Sequence, residues 1–289
     1  MTLESFSFLI GSGASPLGPA FDAARDSGFS SVEIGAASGD DEPEFLDAGR
    51  LLRDAGERRR LLDAIGERSL AIAALVRRGN PLHPVPRSRR ACRGALARTI
   101  RLASLLGVPV VATTSGRPGA HAGARHANWV TSTFPPDFEA VVRRQWDDVA
   151  IPYWRERARF ALDHGVRIAI DLDPGSCVYD AEGLLRLRAE AGAAIGASLG
   201  PARLFRQGLD PAGVVRRLGA AAFRVACDGA RERIGRHAGA LADSLEAAGF
   251  RGPVSFELDG ALVPLADGSV RGVGGISSLR AAGHPSASL

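Results

Sequence analysis

Short apolar runs alternate with longer amphipathic stretches along almost the whole chain, and this alternation constrains the fold more than any other feature. Continuous apolar runs of this kind are typical of parallel strands that are buried on both faces. Eight strand–helix units in roughly 250 residues predict an α/β fold, the (β/α)8 TIM barrel. The predicted strands are Phe6–Ile10, Ser31–Ile34, Leu70–Val76, Pro109–Thr113, Val166–Ile170, Ile195–Ser198, Ala222–Ala226 and Val254–Leu258.

Two of the helical stretches and one loop are irregular. Asp47–Arg68 predicts a helix with a break near Gly56, and Phe138–Asp163 predicts a helix interrupted near Pro152. The loop over residues 115–136 is long, polar and rich in Gly, Ala, Pro and His. Loops of this length inside compact domains are usually functional or disordered.

A doubly wound parallel sheet is the main alternative fold. It would favour a glycine-rich turn after the first strand, and Gly11, Ser12 and Gly13 stand there. The G-x-G-x-x-G pattern is not completed, however, and no acidic residue ends the second strand. Because no composition shift marks a boundary, we expect one barrel domain over residues 1–280 and a flexible tail over residues 281–289.

The basic residues exclude some chemistry. All 36 are arginine, so a Schiff-base lysine, pyridoxal phosphate held on lysine and a P-loop are ruled out. The sequence pI is about 9.6, but arginines alternate with carboxylates, as in Arg155-Glu156-Arg157. This pattern favours a solvated face with salt bridges over a nucleic-acid surface.

Cysteine content and hydropathy point to a cytoplasmic protein. Cys92, Cys177 and Cys227 are widely spaced and form no C-x-x-C motif, so a disulfide framework or thiolate zinc site is not expected. The N-terminus lacks the pattern of a secretory leader, and no apolar run reaches membrane-spanning length.

Polar residues follow most of the predicted strands, where barrels carry their active sites. Two carboxylates stand out, because Asp171 ends the fifth strand and Glu257 lies near the end of the eighth. Paired carboxylates suit proton transfer when their environments separate their pKa values. Each could instead cap a helix or pair with one of the many arginines. The other predicted contacts to substrate are Glu33, Asn80, His83, Asp173, Arg203, Arg224 and Cys227.

Several segments resemble the sugar phosphate isomerase/epimerase family, whose fold is the xylose-isomerase-like TIM barrel. The resemblance extends from about Val32 to Glu257. It adds Trp129, within the long loop, to the predicted substrate contacts. The segments that carry it are GNPLHP, TIRLASLLGVPVV, ANWVTSTFPPDF, IPYWRERARFALDHGVRIAIDLDPG and LFRQGLDP.

The resemblance implies a metal site from which this chain departs. Family members hold one divalent metal through a Glu, an Asp, a His and a second Glu at the ends of strands five to eight. The first ligand falls on Asp171 and the last on Glu257, while a neighbouring family His falls on Asp173. The family pattern Asp-Pro-x-His falls on Gly200 to Arg203, and His-x-His falls on Arg224 to Ala226.

Two carboxylates are a poor set for Mn²⁺ or Mg²⁺, which take about six ligands. We therefore expect no cofactor, with a divalent metal such as Mn, Mg or Zn as the alternative. A guanidinium at Arg203 or Arg224 could stabilise an enolate or bind a carboxylate in the metal's place. Arginines that merely pair with the orphaned carboxylates are the other interpretation.

The favoured hypothesis is an isomerase- or epimerase-like enzyme that moves a proton next to a carbonyl of a small polar substrate, without the family's metal. Cyclase, dehydratase or lyase chemistry in specialised metabolism, and a non-catalytic ligand-binding barrel, stay open. A metal-dependent DNA-repair endonuclease is a distant third possibility. We expect a small-molecule substrate, neither nucleic acid nor membrane as a partner, and a homodimer as the candidate assembly.

Overall fold

A computed structural model describes residues 6–10, 17–37, 46–227 and 231–257. The strands are β1 Phe6–Ile10, β2 Ser31–Ala37, β3 Leu46–Asp47, β4 Ala71–Val76, β5 Val110–Thr114, β6 Arg167–Asp171, β7 Ile195–Leu199, β8 Ala222–Cys227 and β9 Val254–Glu257. The helices are α1 Leu17–Asp26, α2 Ala48–Arg53, α3 Ala55–Gly66, α4 Pro86–Leu106, α5 Asp137–Arg143, α6 Ile151–Asp163, α7 Ala181–Ala191, α8 Pro201–Arg206, α9 Pro211–Leu218 and α10 Arg231–Ala247. A π-helical turn, Arg144–Ala150, joins α5 to α6.

The strands close into a parallel barrel. β1 pairs with β2 on one side and with β9 on the other, and the remaining order is β8, β7, β6, β5, β4 and back to β2. β3 is a two-residue strand beside the end of β2. The predicted eight-stranded barrel is therefore confirmed. All the strands of a parallel barrel direct their carboxyl ends to one mouth, where sites form.

Two apolar clusters fill the fold. The larger lies between the strands and the surrounding helices and includes Trp154, which is fully buried. The smaller consists of strand residues and fills the inside of the barrel: Ala74, Val76, Val110, Ala112, Ala169 and Phe223. Phe223 occupies space that a side chain at Gly196 would need, since a Cβ there would lie 2.3 Å from the ring.

The observed elements differ from the predicted ones at specific residues. The break in the second helical stretch comes at Asp54 and not at Gly56, because Asp54 is extended and its carboxylate accepts a hydrogen bond from the backbone N–H of Glu57. Pro152 lies in the first turn of α6, just after the π-helical turn. Helix α8 was not predicted.

Some expectations concern residues that the structure does not describe. The tail over residues 281–289 and the segment Gly11 to Gly13 lie outside the described residues, as does the side chain of Glu257. In the part of the chain that is described, no helix has both the length and the apolar character needed to span a bilayer.

Candidate active site at the barrel mouth

Asp171, at the end of β6, is surrounded by three guanidinium groups at the mouth of the barrel. Its Oδ1 lies 3.6 Å from Nη1 of Arg224, and its Oδ2 lies 3.5 Å from Nη1 of Arg203 and 3.6 Å from Nε of Arg78. The Asp171 side chain is 3% exposed. Its Oδ2 is buried and accepts no hydrogen bond among the described residues, so it interacts with these groups as a charge.

Arg224 is held by a second carboxylate. Its Nε donates to Glu33 at 3.0 Å and 2.8 Å, Nη2 also donates to Glu33, and Nη1 donates to the hydroxyl of Ser198 at 2.8 Å. Arg224 and Glu33 are both fully buried. Because β8 and β2 are separated in the barrel by β9 and β1, this ion pair spans the inside of the barrel. The positive charge of Arg224 is therefore largely compensated within the protein by the Glu33 carboxylate.

The balance of burial and charge sets the ionisation of Asp171. Burial alone raises the pKa of Asp171, but the guanidinium groups of Arg224, Arg203 and Arg78, with a hydrogen bond from Ser198, outweigh it and hold the pKa below its usual value. The carboxyl group is consequently an anion at neutral pH. Arg78 and Arg203 differ in access, since their side chains are 46% and 14% exposed.

Asn80 and His83 lie in the connection between β4 and α4. The Asn80 amide donates to the carbonyl of Arg117 at 2.9 Å, and its oxygen accepts from the N–H groups of Arg117 and Leu82 at 2.8 Å and 3.1 Å. Nδ1 of His83 accepts from the N–H of Val85 at 3.1 Å. Both side chains thus shape the connection. Whether they also contact substrate stays a prediction.

Three further predicted contacts are distributed around the structure. Trp129 packs edge-on against Trp146, with ring centres 6.0 Å apart. Asp173 lies two residues beyond β6, where its carbonyl accepts the N–H of Ser176. Cys227 is buried at the end of β8.

The backbone of Glu257 is described at the end of β9, where it pairs with Leu9 of β1. This placement puts Glu257 on the same rim of the barrel as Asp171. The distance between the two carboxyl groups is outside the described part of the structure.

Arg78 is the residue that sequence reasoning missed. It stands in the segment Arg77-Arg78-Gly79-Asn80, next to residues that were singled out. Its approach to Asp171 depends on the position of the β4–α4 connection over the mouth, and no local pattern signals this. The available clue was the pair of charged residues, Arg77 and Arg78, that directly follows a barrel strand.

The described donor groups at the mouth, which do not include the Glu257 side chain, do not fit a divalent metal. Across the described ranges, no group of three or more His, Cys, Asp or Glu side chains is placed to hold one. Guanidinium groups face both oxygens of Asp171, where a cation would have to bind. A metal cation beside these three positive charges would be repelled.

The mouth of a closed parallel barrel lined by charged residues defines an enzyme-like (β/α)8 protein. Residues 21–274 match the family model described as "Xylose isomerase-like TIM barrel", and the chain belongs to this family. The uncharacterized protein YfiH of Bacillus subtilis (strain 168) is 35% identical over 204 residues, which are 70% of this chain and 64% of that protein. The chain thus spans less than two thirds of this relative.

Solved structures share the fold. D-psicose 3-epimerase in the presence of D-fructose has a TM-score of 0.64 and 12% identity, covering 96% of this chain and 95% of that one. The 3-keto-D-glucoside 4-epimerase YcjR from E. coli, in its apo form, has a TM-score of 0.64 and 14% identity, covering 96% and 97%. L-ribulose 3-epimerase has a TM-score of 0.59 and 19% identity, covering 87% and 80%. At these identities the likeness concerns the fold.

Proposed function

We propose that this chain is an isomerase- or epimerase-like enzyme that moves a proton next to a carbonyl of a small polar, anionic substrate, without a divalent metal. The observation that carries the proposal is the set of three guanidinium groups around the buried Asp171 carboxylate. The epimerases named above share the barrel, which supports the reaction class. Glu257, on the same rim, is the proposed partner of Asp171.

The proposed step needs one base, one acid and a positive field. An ionised carboxylate, Asp171, takes the proton from the carbon beside the carbonyl, and the C–H electron pair moves into the carbonyl to form an enolate. A guanidinium group stabilises the developing negative oxygen. In an epimerisation, protonated Glu257 returns a proton to the opposite face of the same carbon as the carbonyl re-forms. In an isomerisation, the proton goes instead to the former carbonyl carbon, and the hydroxyl proton of the deprotonated carbon moves to the former carbonyl oxygen, so that the carbonyl re-forms one carbon along. Either outcome leaves Asp171 protonated and Glu257 ionised, and proton exchange with solvent restores both groups.

An anionic substrate would also strengthen the base. Arg78 and Arg203 are the more exposed of the three arginines, and a carboxylate or phosphate bound to them would place like charge near Asp171. Like charge raises a carboxyl pKa, so the bound substrate would make Asp171 a stronger base than it is in the free protein. Arginine forks suit both of these anions.

The test is solvent deuterium exchange into a panel of ketose, keto-acid and sugar-phosphate substrates, with metal analysis of the same protein. Active protein free of stoichiometric Mn, Mg or Zn is the expected result. Asp171→Asn and Glu257→Gln should each reduce exchange about 100-fold or more, as expected for loss of a general acid or base. Arg59→Ala, on an exposed position of α3, is the matched control and should exchange normally.

Stoichiometric metal that exchange requires would overturn the metal-free proposal. Normal exchange in Glu257→Gln would overturn its acid/base role. Cyclase, dehydratase or lyase chemistry would use the same groups and would appear as formation of the corresponding product by the wild type. Both this product formation and deuterium exchange would then be lost in Asp171→Asn and Glu257→Gln. The homodimer and the cytoplasmic location expected from the sequence stay predictions.

A non-catalytic ligand-binding barrel is the second candidate, and the ion pairs around Asp171 favour it. In a ligand-binding barrel, the role of the Asp171 carboxylate would be to position Arg78 and Arg203 for an anion. This function predicts ligand binding that depends on the two arginines, with no deuterium exchange into any bound compound.

A further inference from the structure

A cleft of about 910 Å³ lies outside the barrel mouth. It is bounded by the start of α4, residues 122–125 of the long loop, and the π-helical turn with α6, and we call it the α4–α6 cleft. None of the charged mouth residues described above lines it. Its volume lies within the range of about 300–1,000 Å³ that small-molecule sites occupy.

The charges of the α4–α6 cleft do not cancel. Arg89, Arg93, Arg125 and Arg144 line it, against two carboxylates, Asp148 and Glu156. Within the described residues, no carboxylate lies at ion-pair distance from any of the four arginines. Glu156 instead lies 3.5 Å from Arg157. The cleft is therefore a positive concave surface.

Neutral partners hold three of these arginines in place. Arg89 donates to the carbonyls of His83 and Pro84 at 2.9 Å and 2.8 Å. Nε of Arg93 donates to the carbonyl of Pro81 at 2.8 Å, and Nη1 of Arg144 donates to that of Gly119 at 3.3 Å. Carbonyl groups restrict the guanidinium groups without neutralising them. The remaining N–H groups keep their charge for a ligand, at a reduced entropy cost of ordering.

Tyr153 forms part of the wall of the cleft and is 3% exposed, and its hydroxyl is buried away from the open space. The Arg93 guanidinium carbon lies 4.3 Å from the centre of its ring. Burial raises the pKa of Tyr153 to about 12, although Arg157 and Arg93 lower it, so the hydroxyl keeps its proton at neutral pH. The neutral ring of Tyr153 thus restricts the Arg93 guanidinium without neutralising it.

We propose that the α4–α6 cleft binds a small molecule carrying two or more phosphate groups, with the arginines holding the phosphates. Guanidinium forks match phosphate geometry. The excess of four guanidinium groups over two carboxylates suits a multiply charged anion. The two carboxylates interrupt the basic surface, which favours a compact molecule over a nucleic-acid strand.

Calorimetric titration of the full chain with pyrophosphate, at constant ionic strength, tests this site. We expect a cleft site that is separate from any anion binding at the mouth. Loss of a charged contact should weaken binding to this site about tenfold in Arg125→Ala and in Arg144→Ala. Arg59→Ala, on exposed α3, is the matched control and should bind normally. Arg203→Ala removes an arginine of the mouth and should abolish only binding that takes place there.

Four results would overturn the proposal. The first is no pyrophosphate binding by the wild-type chain. The second is wild-type affinity in both Arg125→Ala and Arg144→Ala, each shown to be folded by circular dichroism. The third is loss of all pyrophosphate binding in Arg203→Ala, which would place the anion at the mouth alone. The fourth is displacement of pyrophosphate by an oligothymidylate at lower concentration, which would show a nucleic-acid surface instead. None of these results bears on deuterium exchange, so this proposal and the proposed function fail separately.

Discussion

The barrel mouth and the α4–α6 cleft both concentrate arginine, and they use its charge in opposite ways. At the mouth, Arg224 is fully buried and bonded to Glu33, and Asp171 lies against three guanidinium groups. In the cleft, the arginines of α4 and of the π-helical turn bond to carbonyl groups, which leave their charge uncompensated. The comparison shows that the hydrogen-bond partner of an arginine decides the role of its charge. A carboxylate partner uses the charge to stabilise the fold, whereas a carbonyl partner leaves it available to a ligand.

The comparison is tested most strongly by removing the buried guanidinium. Arg224→Met leaves the Glu33 carboxylate buried without its cation, and we expect a loss of about 3–5 kcal/mol in the free energy of unfolding. Urea unfolding followed by circular dichroism measures it. The double variant with Glu33→Gln removes both charges and should recover much of this loss. A single variant as stable as the wild type would show that the pair does not stabilise the mouth.

A smaller effect is expected from Asp171→Asn, at about 1–3 kcal/mol near pH 7. Because the folded-state pKa of Asp171 is below its usual value, its charge stabilises the protein above the ordinary Asp pKa of about 3.9, and this contribution is lost as the pH falls further. The difference in stability between wild type and variant should therefore narrow from pH 7 towards pH 3. A constant difference across this range would contradict the assigned ionisation.

In the cleft, Tyr153→Phe should change the free energy of unfolding at pH 7 by about 1 kcal/mol or less, because only a neutral hydroxyl is removed. Since burial raises the pKa of folded Tyr153 to about 12, against an ordinary Tyr pKa of about 10, the wild type should lose stability relative to the variant as the pH rises from 10 through 12. Ultraviolet titration of the two tyrosines in wild type, against Tyr153→Phe, should isolate this midpoint.

The smallest effect is expected for Arg125→Ala. Arg125 is an exposed cleft residue, so its loss should change the free energy of unfolding by no more than about 0.5 kcal/mol. Paired with Arg224→Met in the same urea experiment, it gives the contrast between the two regions directly. Comparable losses in the two variants would remove the distinction between structural and ligand-facing arginine.

Much of the fold is readable from the sequence because barrel strands are continuous apolar runs. The strand β1 coincides with its predicted run, and β6 and β7 differ from theirs by no more than one residue at either end. Helix α8 was missed because six residues starting at Pro201 carry too little periodicity to detect. The helix break comes at Asp54 because its carboxylate caps α3 through a hydrogen bond from the N–H of Glu57. The flexibility of Gly56 alone had suggested a break two residues later.

The site was less readable, because its contacts join distant parts of the chain. Asp171 and Arg203 could be placed at the mouth, since Asp171 ends a strand and Arg203 follows one. Arg224 lies within β8 and was singled out by the family pattern that falls on it. The bond between Glu33 and Arg224 connects residues 191 positions apart, and no local pattern predicts which arginine a buried carboxylate will choose. Arg78 was missed for the same reason.

The Asn80 side chain, with its hydrogen bonds to both sides of Arg117, sits in the middle of a connection that serves both regions. Gly116 makes this approach possible, because a Cβ there would lie 2.9 Å from the Asn80 oxygen. Arg78 lies on one side of Asn80, against Asp171, and Arg89 lies on the other, in the cleft. A ligand at one end that shifted this segment would therefore alter binding at the other end, and thermodynamic reciprocity would then require both affinities to change by the same factor.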